Sequence, residues 1–254
     1  MSFDVTAGAY ARFMGRFSEP LAAEFVGLAQ VRPGQRALDV GCGPGALTAQ
    51  LVERLGSEAV SAVDPSAPFV AAARDRFPDA DVRSGTAEQL PFPDDSFDIA
   101  LAQLVVHFMA DPVAGLREMA RVTKPGGLVA ACVWDHAGGG GPLASFWQAV
   151  NDLDPQAAGE SGLAGARAGH LTELCEAAGL TEVDESSLTV RVPFATFDDW
   201  WEPFTLGVGP AGAYVTALDD DGRERLRSRC VEVLPPASFE IAASAWTVTA
   251  TPGR

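Results

Sequence analysis

Three observations predict an α/β fold built on a doubly wound, mostly parallel sheet. Short apolar runs alternate with amphipathic stretches of about ten residues through the first half of the chain. The first apolar run stops in a glycine-rich turn, Gly41-Cys42-Gly43-Pro44-Gly45, that leads straight into a helix. An acidic residue, Asp64, closes the second run, about 20 residues beyond that turn.

Taken in order, helices are expected near Phe3–Met14 and Glu19–Leu28, ahead of a first strand over Arg36–Val40 in which Leu38 and Val40 are apolar positions. The turn that follows is free of Cβ atoms at 41, 43 and 45, so its backbone can take positive φ values and press against a ligand. A helix over Ala46–Leu55 then aims its free N–H groups and positive dipole end at whatever lies above the turn. A strand over Ala59–Val63, a helix over Pro68–Arg76 and strands over Asp81–Ser84 and Phe97–Ala102 continue the alternation. A helix over Pro112–Val122 and a strand over Gly127–Val133 complete it. Such folds bind ligands at the carboxyl ends of the strands, where the strand order reverses, which puts the crevice over Gly41–Gly45.

Beyond Asp135 the alternation fails. Gly138-Gly139-Gly140-Gly141-Pro142 suits neither strand nor helix and reads as a mobile hinge. Helices are expected over Ala144–Leu153 and His170–Ala178, with a small-residue loop between them, and two long antiparallel strands over Thr181–Phe194 and Ser238–Thr251. The organisation expected is one domain over 1–254, in which 1–30 forms covering helices and 138–169 and 196–236 are two cap insertions.

The formal charge of −16 argues against nucleic acid or an anionic membrane surface as partner. No run has the length of a membrane span, and Met1–Tyr10 lacks the basic-then-apolar order of a signal peptide, so a cytoplasmic protein is expected. Cys42, Cys132, Cys175 and Cys230 lie far apart without metal-ligand spacing and read as buried free thiols. The sequence leaves the oligomeric state open.

Asp64 is placed to accept hydrogen bonds from both hydroxyls of a ribose, since one carboxylate offers two acceptor oxygens to a cis-diol. Gly41-x-Gly43-x-x-Ala46 also satisfies the dinucleotide pattern, which leaves an NAD(P)-dependent oxidoreductase open. Against that stands the lack of a Tyr-x-x-x-Lys pair, Lys124 being the only lysine.

Further motifs follow in a fixed order: Gly85-Thr86-Ala87-Glu88-Gln89-Leu90-Pro91-Phe92, then His107-Phe108-Met109-Ala110-Asp111-Pro112, then Arg117-Glu118-Met119 through Lys124-Pro125-Gly126-Gly127. Together with Leu38–Gly45 and Asp64, this set resembles the class I S-adenosylmethionine-dependent methyltransferases, in the small-molecule group that includes the ubiquinone/menaquinone-biosynthesis type. The resemblance covers roughly Tyr10 to Trp134 and implies a Rossmann-like sheet of seven strands. It implies S-adenosyl-L-methionine as cofactor and S-adenosyl-L-homocysteine as product. It also implies that Asp39 orders the glycine turn and that Gly41, Cys42, Gly43 and Gly45 approach the methionine moiety. Asp64 with Pro65 would hold the ribose, Thr86, Ala87 and Glu88 would edge the adenine, and Gln103 would lie near the amino-acid moiety. The family often has Asp where this chain has Thr86, a weaker acceptor for the adenine amino group. Tyr10 would pack on the pocket and Arg16 would reach the methionine carboxylate; the other reading of Arg16 is a solvated helix edge shared with Arg12.

Transfer to a small-molecule acceptor by in-line displacement asks the protein for alignment, desolvation and, for a poor nucleophile, a base. His107, past the fourth strand, is the candidate base; packing is its other reading. His136, past the fifth strand, could reach the acceptor as the hinge closes; its other reading is an ordinary exposed loop residue. Trp134, Trp147, Trp200, Trp201, Phe204 and Tyr214 are the aromatic candidates for an apolar acceptor pocket, or for the joint between cap and sheet. No metal is expected, because Gln103 stands where a hard-metal site would want a carboxylate. An S-adenosylmethionine-binding protein that methylates nothing, or a cyclase on the same fold, would carry the same cofactor residues.

Overall fold

The computed structural model describes residues 7–253, so the start of the expected Phe3–Met14 helix and the first part of the 1–30 covering segment lie outside the described residues. These residues form a seven-stranded sheet of β1 (Ala37–Val40), β2 (Val60–Asp64), β3 (Asp81–Ser84), β4 (Phe97–Gln103), β5 (Thr123–Trp134), β6 (Leu180–Phe194) and β7 (Phe239–Pro252). Their order is β3-β2-β1-β4-β5-β7-β6. β1 to β5 run parallel, and β7 lies antiparallel between β5 and β6. All four residues of β1 are buried, as a central strand covered on both faces requires. The order reverses between β1 and β4, whose carboxyl ends carry the glycine turn and Gln103.

Helices α1 (Ala7–Tyr10) and α2 (Arg16–Leu28) are joined by a π-helical segment, Ala11–Gly15, into one run where two helices were expected. Phe13, Phe17, Leu21 and Phe25 recur every fourth residue and are all buried. That stripe carries the helix through Pro20, whose missing N–H would otherwise favour a break. α3 (Ala46–Leu55) packs beside α2, while α4 (Ala67–Arg76) covers β2 and β3. α5 (Pro112–Val122) starts with Pro112 at its first position and the Asp111 carboxylate capping the Ala114 N–H at 3.0 Å. It covers the opposite face of the sheet together with α7 (His170–Ala177).

The remaining helices are α6 (Ala144–Leu153), between β5 and α7, and α8 (Phe197–Trp201), α9 (Gly209–Ala217) and α10 (Asp220–Val233), between β6 and β7. β6 and β7 pair from Leu180↔Pro252 to Phe194↔Phe239, and the two phenylalanines stack at 5.5 Å where the second excursion begins and ends. The two excursions meet: Phe146 of α6 stacks on Phe204 at 4.5 Å, and Arg229 of α10 bonds Asp152 of α6 at 2.7 and 2.9 Å.

The glycine run after β5 is a hydrogen-bonded turn and not the open hinge its composition suggested. The Asp135 carboxylate accepts from Gly138 N–H at 2.8 Å, and the Asp135 carbonyl accepts from Gly140 and Gly141 at 3.0 and 2.9 Å. Gly140 accepts in turn from Ser244 of β7 at 2.7 Å. A Cβ on Gly138 would stand 2.5 Å from the Asp135 carboxylate, so the glycines serve close approach.

Candidate active site

Asp64, 6% exposed at the end of β2, is the hub of the crevice. Its Oδ2 accepts the Gly43 N–H at 2.9 Å and its Oδ1 accepts the Ser66 N–H at 2.8 Å. Gly43 can offer that N–H because it holds a φ of +53°, in the left-handed region that glycine enters without cost. Burial raises the Asp64 carboxyl above its ordinary value, against the pull of these two donors. Beneath it, Asp39 is 1% exposed and accepts the Thr48 hydroxyl of α3 at 2.6 Å, tying strand to helix. Burial pushes that carboxyl up to about 7, with the neighbouring Asp64 charge adding to the rise.

A cleft of about 530 Å³ opens at these strand ends. Of the predicted residues, Gly41, Gly43, Asp64 and Pro65 line its floor, and Thr86, Ala87 and Glu88 line one edge. Tyr10 lines it too, its ring edge-on to Phe69 at 5.4 Å and its phenol pushed up to about 12 by burial and then by the Asp64 charge. Gln103, at the end of β4, donates from Nε2 to the Ser18 carbonyl at 2.8 Å, while its Oε1 is buried with no partner. Glu88 spends Oε1 on the backbone N–H of Ala110 at 2.7 Å, so it holds the cleft edge to the start of α5.

Four predicted residues lie elsewhere. Arg16 is drawn to the cap: it makes a bidentate pair with the Asp199 carboxylate at 2.9 and 3.0 Å and lies over the Phe194 ring at 4.4 Å. Neither Asp39 nor Cys42 lines the cleft; Asp39 supports it from below, and the Cys42 thiol is buried against α4. Gly45 faces the Phe77 ring, where a Cβ would collide, so it serves packing and not ligand approach. Phe69, Val105 and Met109 are cleft residues that the sequence did not single out.

On the cap side a chamber of about 40 Å³ adjoins the cleft, and Tyr10, Leu104 and Phe108 line both. Leu104 holds a φ of +61°, a costly conformation for a residue with a Cβ, at the border of the two spaces. His107, His136 and Trp134 line the chamber as predicted candidates, and Glu160 joins them. The two imidazoles lie edge to face at 6.0 Å. Burial, and then the neighbouring His136, pushes His107 down to about 3; burial brings His136 to about 4 against the Asp135 charge. Both are therefore neutral near pH 7, and His107 is too weakly basic to take a proton from an unactivated alcohol. His107 Nδ1, His136 Nε2 and Trp134 Nε1 are buried without partners.

The other aromatic candidates build the cap instead of lining the chamber. Trp200 and Trp201 are both buried and pack with Phe197 and Phe204, although they are neighbours in a helical turn. Phe204 stacks on Phe146, and Tyr214 packs edge-on to Phe146 and Trp147. Trp147 acts behind the chamber wall, donating its indole N–H to Glu160 at 2.7 Å. A larger groove, about 720 Å³, lies at the opposite ends of the strands around Arg117 and Arg121, a surface with no buried titratable group. Among the described residues no cluster of His, Cys, Asp and Glu could hold a metal ion, and no helix is long and apolar enough to cross a membrane.

Residues 38–131 match the family described as "Methyltransferase domain". The ubiquinone/menaquinone biosynthesis C-methyltransferase UbiE of Xanthomonas axonopodis is 43% identical over 110 residues, 41% of this chain and 44% of that protein. The malonyl-[acyl-carrier protein] O-methyltransferase of Serratia marcescens is 32% identical over 151 residues, 57% of this chain and 58% of that protein. The chain thus spans about half the length of the curated relatives it matches. Among solved structures, phosphoethanolamine N-methyltransferase 2 of Haemonchus contortus, in complex with phosphomonomethylethanolamine and S-adenosylhomocysteine, has a TM-score of 0.60 at 17% identity. That match covers 98% of this chain and 57% of the other, and the likeness is one of fold.

Proposed function

We propose that this chain, whose residues 38–131 match the methyltransferase-domain family, transfers a methyl group from S-adenosylmethionine to a small, apolar acceptor held between the cleft and the cap. The observation that carries the reading is the cleft itself: a buried Asp64 at a strand end, braced by Gly43, opening directly onto a chamber walled by aromatic and imidazole groups. The single domain with two cap insertions, 138–169 and 196–236, belongs to the same proposal.

The residues present fit the cofactor. A cleft of about 530 Å³ suits a ligand of nucleoside size. Each Asp64 oxygen accepts one backbone N–H and keeps a lone pair for a ribose hydroxyl. The unpartnered Oε1 of Gln103 is an acceptor suited to the ammonium of the methionine moiety. Thr86 and Ala87 would edge the adenine, with Tyr10 and Phe69 closing over the nucleoside.

The chemistry supplied by bound S-adenosylmethionine is an activated methyl on a sulfonium, open to in-line attack. The chain's own part is alignment and exclusion of water. Tyr10, Leu104 and Phe108 form the wall shared by both spaces and would steer the acceptor toward the cleft. His107 and His136, neutral and unpartnered, would orient the acceptor by hydrogen bonds and would not remove a proton from a poor nucleophile. An acidic phenol or enol, an amine or an activated carbon is methylated with that level of help. Four buried free thiols support a reducing, cytoplasmic setting.

Calorimetric titration with S-adenosylmethionine, S-adenosylhomocysteine and NADH tests the reading. Micromolar binding of the first two with none of the third is expected. Binding of NADH alone would replace it with redox chemistry.

A further inference from the structure

The chamber beside the cleft holds a carboxylate that the proposed reaction has not used. Glu160 enters it from the loop between α6 and α7 and is 5% exposed. Its Oε2 accepts the Trp147 indole N–H at 2.7 Å, while Oε1 takes no hydrogen bond from any described residue. A carboxylate buried with one neutral donor is costly to the fold, and such groups persist where a ligand completes them. The rest of the wall is apolar, with Phe13, Leu143, Val208 and Ala211 around the two imidazoles. No arginine or lysine lines it among the described residues.

We propose that Glu160 is an acceptor-binding residue: its free carboxylate oxygen takes a hydrogen bond from an O–H or N–H of the molecule to be methylated. It thereby selects hydroxyl- or amine-bearing acceptors over anionic ones. A carboxylate beside two uncharged imidazoles gives the chamber no positive group with which to meet a carboxylate or phosphate. At about 40 Å³ the chamber takes little more than the polar end of an acceptor, leaving the ring along the wall shared with the cleft. Its cap wall, Val208–Ala211, follows Gly207 and includes Gly209, at φ of +73° and +63°, turns that glycine makes without strain and that leave no side chain at 209 to crowd that end. The inference rests on the methyltransferase reading for the ligand in the cleft but not for the chemistry of the chamber.

The test is calorimetry with four probes of one shape: 4-propylphenol, 4-propylaniline, 4-propylanisole and 4-propylbenzoate, each with and without S-adenosylhomocysteine. The wild type should bind the phenol and the aniline at least about tenfold more tightly than the anisole and the benzoate. In Glu160→Gln the indole N–H of Trp147 keeps the amide oxygen, so the NH₂ turns into the chamber and a donor replaces the acceptor. The preference for donors should then fall below about threefold while the benzoate gains. Trp147→Phe, which removes the indole partner and keeps the carboxylate, should retain the wild-type order. If Glu160→Gln fails to fold, Glu160→Asp, which withdraws the carboxylate by one methylene, should narrow the preference. Equal binding of all four probes, binding of none, or an unchanged order in Glu160→Gln overturns the proposal. Titration of S-adenosylhomocysteine alone reads the cleft separately. Its failure to bind, with the probe order intact, would remove the methyltransferase reading and leave Glu160 standing.

Discussion

Gly43 and Asp64 are joined across the crevice by one backbone hydrogen bond of 2.9 Å, so the glycine turn and the strand-end acid form a single part. A carboxylate held this way is aimed before any ligand arrives, which lowers the ordering cost of binding. Asp64→Ala should therefore weaken S-adenosylhomocysteine binding by about 1.5–3 kcal/mol, the range for hydrogen bonds to a charged group. Calorimetry on the variant measures it, and unchanged affinity would remove Asp64 as the ribose ligand.

Arg16 supplies a test of the opposite kind. Its guanidinium is committed to Asp199 and Phe194, on the cap side of α2. The pair is about one-third exposed, so solvent screening limits its worth to about 1 kcal/mol. Arg16→Ala should lower the unfolding midpoint by a few degrees and leave S-adenosylhomocysteine affinity within about threefold. A tenfold loss of affinity with an unchanged midpoint would return Arg16 to the cofactor.

The contrast between these residues shows which features the sequence carries. β1, the turn, α3 and Asp64 lie within one short stretch, and their spacing alone places the acid beside the turn. Arg16 meets Asp199 across 183 residues, a contact that no local pattern encodes. Aromatic residues gave an ambiguous signal for the same reason. Trp134 reaches the chamber while Trp200 and Trp201 fill the cap, yet all three are large apolar residues of the same kind. Glu160 sits between Gly159 and Ser161 in a stretch without periodicity, so only the fold could bring it to His136 and Trp147. The gap expected at 15–18 between two entry helices is closed in the fold, because the buried stripe from Phe13 to Phe25 anchors one continuous run against the core, a contact that no local pattern encodes.

The glycine turn after β5 makes a prediction about motion. An open hinge would exchange its amide hydrogens at the rate of an unfolded chain, whereas Gly138, Gly140 and Gly141 each donate to Asp135. Hydrogen exchange should find all three protected. Asp135→Ala should speed Gly138 by about tenfold or more, since only its partner is the side chain, and spare the two that bond the backbone carbonyl. Unprotected amides in the wild type would restore the hinge.

His107 links stability to pH in a way that separates its roles. Its folded-state value of about 3 lies far below the ordinary 6.5, so between these limits the unfolded chain binds a proton that the folded chain refuses. Stability from this residue is complete above pH 6.5 and is lost as the pH falls toward 3. From pH 7 to pH 5 the loss is about 2 kcal/mol. Asp39 acts in the other direction: its carboxyl, raised from 3.8 to about 7, stabilises the fold below 3.8 and loses that effect as the pH rises through 7. Comparison with His107→Gln cancels this and every other common contribution. Urea unfolding at pH 7 and pH 5 should show the wild type losing about 2 kcal/mol more than the variant. The same variant should keep turnover within about tenfold once an acceptor is known, because so weakly basic an imidazole would serve the proposed alignment of the acceptor and would not deprotonate it. A loss of a hundredfold or more, with equal pH dependence of stability in both proteins, would mean that His107 is exposed, basic and the proton acceptor.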